Sequence, residues 1–199
     1  MSPHPTIDLL PDAARIVTAM ANGVLPEQWD NATPCEAWSV RDVLNHLVNE
    51  HLWAPELLAG KTLEDVGDRF DGDLLGDDPA GAWRKAASAS MIAWAQADPQ
   101  GSVHSSMGPL PVEEYAHQML LDLTVHGWDI AKGAGIPFTP IPPAVDDALT
   151  YATPRVALYA ETNLFAAPVP YDGDHPIEAL VALLGRDPSW RPEVDGAPH

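Results

Sequence analysis

Residues 120–135, LLDLTVHGWDIAKGAG, are apolar around most of a helix circumference, so this segment must be enclosed by other elements instead of lying on a surface. Its neighbours Met119, Leu120, Leu121, Leu123, Val125, Trp128, Ile130 and Ala131 are what a helix central to a core carries. Within it, Asp122 and His126 stand four residues apart and share one face, with Cβ atoms ~6 Å from each other. A carboxylate in that setting needs a proton, a cationic partner or a metal, because an unpaired buried charge costs on the order of several kcal/mol.

The remaining chain supplies helices to surround it. Ile7, Leu10, Ala14, Val17, Ala21 and Val24 recur at helical spacing, and Pro11 places the start of this first helix near Leu10, since proline is accommodated in the first turn. The stretch LPEQWDNATPCEAW reads as a loop, after which Ser39 and Asp42 form a capping box for a second helix striped by Val40, Val43, Leu44, Leu47, Val48 and Leu52 and limited by Pro55. TLEDVGDRFDGDLLGDDP reads as an acidic connector with at most one short turn. A third helix spans Pro79 to about Ala97, a short extended piece precedes Pro111, and a fourth helix runs from about Val112 to Gly133, stopped by Gly133 or Gly135. Ala144 to Leu158 makes a fifth helix, disturbed at Pro154, and IEALVALLGRDPSW gives a short amphipathic helix ending at Gly185. The 199 residues are expected to form one all-α domain, a four-helix bundle with additional short C-terminal helices.

Ten Lys plus Arg against 29 Asp plus Glu give a formal charge of -19, which repels phosphate backbones and anionic lipid heads, so neither nucleic acid nor a membrane is an expected partner. No window approaches ~20 uninterrupted apolar residues, and the first residues lack a basic segment followed by an apolar run. The single cysteine, Cys35, fits a reducing compartment, and a cytoplasmic location is the expectation.

An open metal site takes three protein ligands, and Asp122 with His126 supplies two. His46, beside the apolar stripe of the second helix, can point into the bundle and complete a two-histidine, one-carboxylate set. The residues alone leave alternatives open: a satisfied core histidine at 46, and a helix-internal ion pair between Asp122 and His126.

ATPCEAWSVRDVLNHLV, LDLTVHGWDIAKGAG and LLGRDPSW, in that order, resemble the DinB-like metal-binding superfamily, and within it the N-terminal domain of actinobacterial mycothiol-dependent maleylpyruvate isomerase. The resemblance spans nearly the whole chain. It implies a four-helix bundle whose divalent metal is held by His46, Asp122 and His126, with mycothiol as co-substrate and a homodimer as an assembly known among such bundles. The isomerase pattern carries Glu where this chain has Asp122, one methylene shorter. Two imidazoles and a carboxylate make zinc the default ion, with nickel, iron and manganese compatible with the same donors.

Around this set, Asp129, three residues after His126, is a candidate to accept a proton from the ligand imidazole and fix its tautomer, or else to make an interhelical hydrogen bond. Glu50, one turn beyond His46, is the candidate general base or spare ligand. Cys35 would lie ~16 Å from His46 if it continued the helix line, a gap that a folded-back loop would shorten, and it reads as a small buried packing residue near Trp38. His51 and His117 are rotated away from the set by ~140° and ~180°, His104 lies before the fourth helix on a candidate pocket-lining segment, and Trp53 and Trp128 are candidates to wall a pocket. The function expected is a metal-dependent thiol transferase or isomerase acting on a small electrophile with a low-molecular-weight thiol. The alternatives are a non-catalytic metal-binding or ligand-sequestering bundle and a family member that holds no metal.

Overall fold

The computed structural model describes residues 5–106, 108–162 and 164–192. Its elements are α1 (Thr6–Gly23), α2 (Val40–Leu58), α3 (Leu63–Val66), α4 (Pro79–Trp94), β1 (Ser102–Ser105), β2 (Gly108–Pro111), α5 (Val112–Gly133), α6 (Pro142–Ala152), α7 (Val156–Thr162) and α8 (Pro176–Leu183). The architecture is the expected helical bundle. α1, α2, α4 and α5 make it, with α5 packed against α1 and α2 on one side and α6 on another. Among the described residues, no helix is long and apolar enough to cross a membrane.

α5 is the central helix because its sequence leaves it no polar face. From Met119 to Ala131 every residue but Asp122 is buried. Leu120, Leu123 and Ile130 join the main core with Leu10, Val17, Leu44, Leu47 and Trp83, whereas Leu121 and Val125 turn to a second apolar cluster with Val145, Ala148, Leu180 and Leu184. Truncating any of the fully buried leucines to alanine costs about 2–5 kcal/mol in such settings. Glu113 and Glu114 in the first turn of α5 and Lys132 in the last complement its dipole. At Gly133 a Cβ would stand 2.7 Å from Val40 Cγ2 and 2.9 Å from the Ala32 carbonyl, so only glycine lets the start of α2 close onto α5.

Several boundaries differ from expectation. α1 begins at Thr6, not Leu10, and runs through Pro11. Burial of Leu9 and Leu10 and the hydrogen bond from Thr6 Oγ1 to Asp147 Oδ2, 3.0 Å, hold the extra turn despite the donor that Pro11 lacks. α2 likewise passes Pro55 to reach Leu58, and α4 ends at Trp94, three residues early. The piece before Pro111 is a hairpin, β1 pairing antiparallel with β2. The fifth expected helix starts two residues early, with proline in its first turn, and breaks into α6, a 3-10 turn at Thr153–Arg155 and α7, the break falling at Pro154 as anticipated. The capping box at Ser39 and Asp42 and the short turn α3 are as expected.

Candidate metal centre

The loop before α2 is where local sequence shapes the site. Thr33 Oγ1 donates to the Trp38 carbonyl at 2.9 Å and accepts from the Cys35 amide at 3.2 Å, while the Trp38 amide donates to the Cys35 carbonyl at 3.0 Å. Ala37 closes this turn at φ 66°, a left-handed conformation unusual for a residue with a Cβ. Asn31 Nδ2 and Gln28 Nε2 donate to the carbonyls of Gly133 and Ala134, each at 3.0 Å, and tie the loop to the end of α5. The result is a turn that presents Cys35 and Trp38 to α5.

α2 and α5 bring the candidate ligands together. One donor atom from each of His46, Asp122 and His126 lies within 4.8 Å of the other two, with His46 Nε2 3.5 Å from Asp122 Oδ2. Tetrahedral zinc with bonds of roughly 2.0–2.1 Å separates its ligand atoms by roughly 3.4 Å, so this spread needs only a small contraction to close on an ion. The side chains of His46 and Asp122 are 27% and 24% exposed, whereas His126 is buried, so the cluster opens to solvent on one side. Trp38 forms a wall, its ring centroid 5.1 Å from that of His46 and 5.7 Å from that of His126, stacked on the latter.

Charge in the cluster is balanced. Burial by itself pulls the His46 pKa down, but the hydrogen bond and charge of Asp122, with the charge of Glu50, outweigh it and raise the imidazole above its ordinary value. Burial pushes Asp122 up, yet His46, His126 and Arg186 together hold the carboxyl below the usual range. Glu50 moves the other way, raised by burial and then by Asp122, with His46 opposing. A carboxyl one turn from a candidate ligand is placed to exchange protons with the cluster.

Asp129 makes both of the contacts expected of it, one to the His126 ring and one across elements to Arg186. Nδ1–H of His126 donates to Asp129 Oδ2 at 2.9 Å, which leaves Nε2 as the free nitrogen of the ring. The same oxygen receives Arg186 Nη2 at 3.2 Å. Asp129 is 0% exposed and Arg186 5%. Arg186 arrives there through a helix stop. Gly185, at φ 83°, sends its amide to the Ala182 carbonyl at 3.0 Å, and the Arg186 amide returns to the Val181 carbonyl at 2.9 Å, the two-bond pattern that ends a helix at a left-handed glycine.

Cys35 packs against the core beside Trp38, as expected. The Thr33 turn also folds the loop back, so that Cys35 Sγ shares a 4.8 Å cluster with one atom each of His126 and Asp129. Burial pushes the Cys35 thiol up to about 11 despite the opposing charge of Arg186, so it is protonated at neutral pH and a poor nucleophile.

Other residues fall outside. His51 is fully buried edge-on to Trp83, 4.9 Å between centroids, and burial drives its pKa down to about 3. His117 bonds to Asp147, and His104 is exposed on β1. Trp128 lines a different groove, with Lys132 and Phe138, and Trp53 stacks edge-on to Phe70. Trp38 and Arg186 are the two site residues that sequence reasoning did not single out. Trp38 entered the sequence analysis only as the packing neighbour of Cys35. For Arg186 the available signal was a basic residue directly after a glycine helix stop, in a chain with ten basic residues.

Residues 10–131 match the family model described as the mycothiol maleylpyruvate isomerase N-terminal domain. No curated protein and no solved structure matches the chain. The matched span contains Cys35, His46, Asp122, His126 and Asp129, and stops short of Arg186.

Proposed function

The chain belongs to the mycothiol maleylpyruvate isomerase N-terminal domain family, and from that premise we propose that it is a metal-dependent enzyme joining a low-molecular-weight thiol of the mycothiol type to a small electrophile, in a transfer or a thiol-assisted isomerisation. The observation that carries this reading is the convergence of two imidazoles and one carboxylate from α2 and α5 within 4.8 Å, open to solvent on one side. His46, Asp122 and His126 Nε2 hold the ion, zinc by donor type, with nickel, iron and manganese compatible. When bound, such an ion lowers the pKa of a thiol or water at its open position far enough to supply the nucleophile at neutral pH.

The chain's own groups do the rest. Asp129 keeps the proton of His126 on Nδ1 and so keeps Nε2 a ligand. Glu50 accepts the proton that the thiol loses on becoming the nucleophile, and returns it to the leaving atom in a transfer or to the departing thiolate in an isomerisation. Trp38 packs against both imidazoles and holds their rings in place. Because α5 contributes to both apolar clusters, the reading takes residues 1–199 as one domain.

The test has two arms. Elemental analysis of purified protein should find a divalent metal that is lost in His46→Ala, Asp122→Ala and His126→Ala; unchanged ion content in those variants sinks the metal centre. Metal-loaded protein incubated with mycothiol and a panel of electrophiles should either consume thiol, in a transfer, or isomerise the electrophile only when thiol is present and regenerate it, and chelator should stop both. Bound metal that raises stability with neither reaction would assign the chain to a non-catalytic bundle.

A further inference from the structure

Two ligand sets overlap at His126. One comprises His46, Asp122 and His126; the other comprises Cys35, Asp129 and His126, and the donor atoms of each lie within 4.8 Å. By donor chemistry the second set is the better zinc site, since it offers a sulfur as well as nitrogen and oxygen. The site proposed above therefore needs a reason to win.

That reason is a cation already in place. The Arg186 guanidinium bonds Asp129 Oδ2 through Nη2 at 3.2 Å, donates from Nη1 to the Leu184 carbonyl at 2.9 Å, and stands 5.4 Å from the centre of the Phe165 ring. It is anchored at both ends, by those contacts and by the glycine stop at Gly185, so it cannot swing aside without breaking a buried network. An arginine also keeps its charge at any pH a protein survives. A divalent ion entering the Cys35 side would meet that charge in a buried setting, where repulsion is screened little. Asp129 Oδ2 is occupied by two donors, one of them the Nδ1 proton of His126, which leaves Oδ1, buried and without a hydrogen-bond partner among the described residues, as the oxygen an ion on that side would take. The charge of Arg186 also reaches Asp122, but more weakly than it reaches Asp129 and Cys35, and among the described residues its hydrogen bond to the cluster is on the Cys35 side.

We propose that Arg186 selects between the two sets: as the resident cation of the Cys35–Asp129 side, it confines the metal to His46, Asp122 and His126. This inference rests on the metal reading above. It also gives the segment beyond the matched span, Gly185 and Arg186, a role in metal choice, since a thiolate site would favour softer ions.

Cobalt(II) distinguishes the two sites, because a thiolate ligand adds a strong ultraviolet charge-transfer band that nitrogen and oxygen ligands do not give. Wild-type protein titrated with cobalt alone should develop visible ligand-field bands and no thiolate band. Arg186→Met should gain the thiolate band, with release of the Cys35 thiol proton, and Arg186→Met combined with Cys35→Ser should lose it again. Arg186→Lys, which restores a cation, should behave as wild type. If Arg186→Met does not fold, Arg186→Gln, uncharged but able to donate to Asp129, is read in the same way. A thiolate band in the wild type, or its absence from a folded, cobalt-loaded neutral variant, overturns the selection by Arg186 while leaving the metal centre standing. A wild type that binds no cobalt overturns the metal reading and this inference together.

Discussion

His126 Nδ1 lies 2.9 Å from Asp129 Oδ2, one turn along the same helix, with both side chains buried. The pair fixes which nitrogen of His126 faces Asp122 and His46, and so turns an interior histidine into a directed donor. Replacing Asp129 with Asn removes the charge that holds the proton on Nδ1 and leaves Arg186 buried beside a neutral amide. Metal affinity should fall roughly 10–100-fold, measured by competition with a chromophoric chelator, and the melting temperature should drop as well.

Glu50→Gln separates binding from proton transfer. The amide keeps the shape of the side chain but cannot accept a proton. Metal content should stay at the wild-type level while the metal-dependent rate of thiol transfer or thiol-assisted isomerisation falls roughly 10²–10⁴-fold. An unchanged rate would remove Glu50 from the reaction.

The Thr6, His117 and Asp147 contact ties the start of α1 and the first turns of α5 to α6. His117 Nδ1–H donates to Asp147 Oδ1 at 2.8 Å and the Thr6 hydroxyl to Oδ2 at 3.0 Å, with Glu113 and Glu114 nearby in charge. The hydrogen bond to Asp147 raises the His117 pKa, burial opposes it, and the net shift is upward. A group raised on folding contributes stability that is fully present below its unfolded value, about 6.5, and is lost as pH climbs through the folded value. The melting temperature of wild type relative to His117→Gln should therefore be highest on the acid side of that window and converge above it. A difference that does not vary with pH would refute the charged pair.

Gly185→Ala tests the turn that delivers Arg186. The backbone there is at φ 83°, and an added Cβ would stand 2.6 Å from Ala166 Cβ. Strain of this kind costs about 1–3 kcal/mol, read as a lower denaturation midpoint. Because the turn also aims the guanidinium, cobalt-loaded Gly185→Ala should gain the thiolate band, whereas Gly60→Ala, also at positive φ but with open space around the Cβ, should lower stability without producing that band.

Much of this protein was legible in local pattern. The apolar girdle of residues 119–131 required a central helix, four-residue spacing put Asp122 and His126 on one face, the stripe of α2 turned His46 inward, and three spacing from His126 gave Asp129 its tautomer-setting bond. Those inferences succeed because helix periodicity is a property of the backbone and needs no knowledge of neighbours. Helix ends were less legible. α1 runs through Pro11 because Thr6 is held by residues more than a hundred positions away, and no local preference carries that information.

The chain alone determined which side chains could cooperate along one helix. Only the tertiary structure decided what meets them across helices and turns: the Thr33 turn that folds Cys35 back onto His126, the ring of Trp38 over two imidazoles, and Arg186 reaching Asp129 from 57 residues away. The reason is physical. A loop's path and a side chain's long-range partner are set by how whole elements settle against one another to bury apolar area and pair buried charge, and that balance belongs to the assembled bundle.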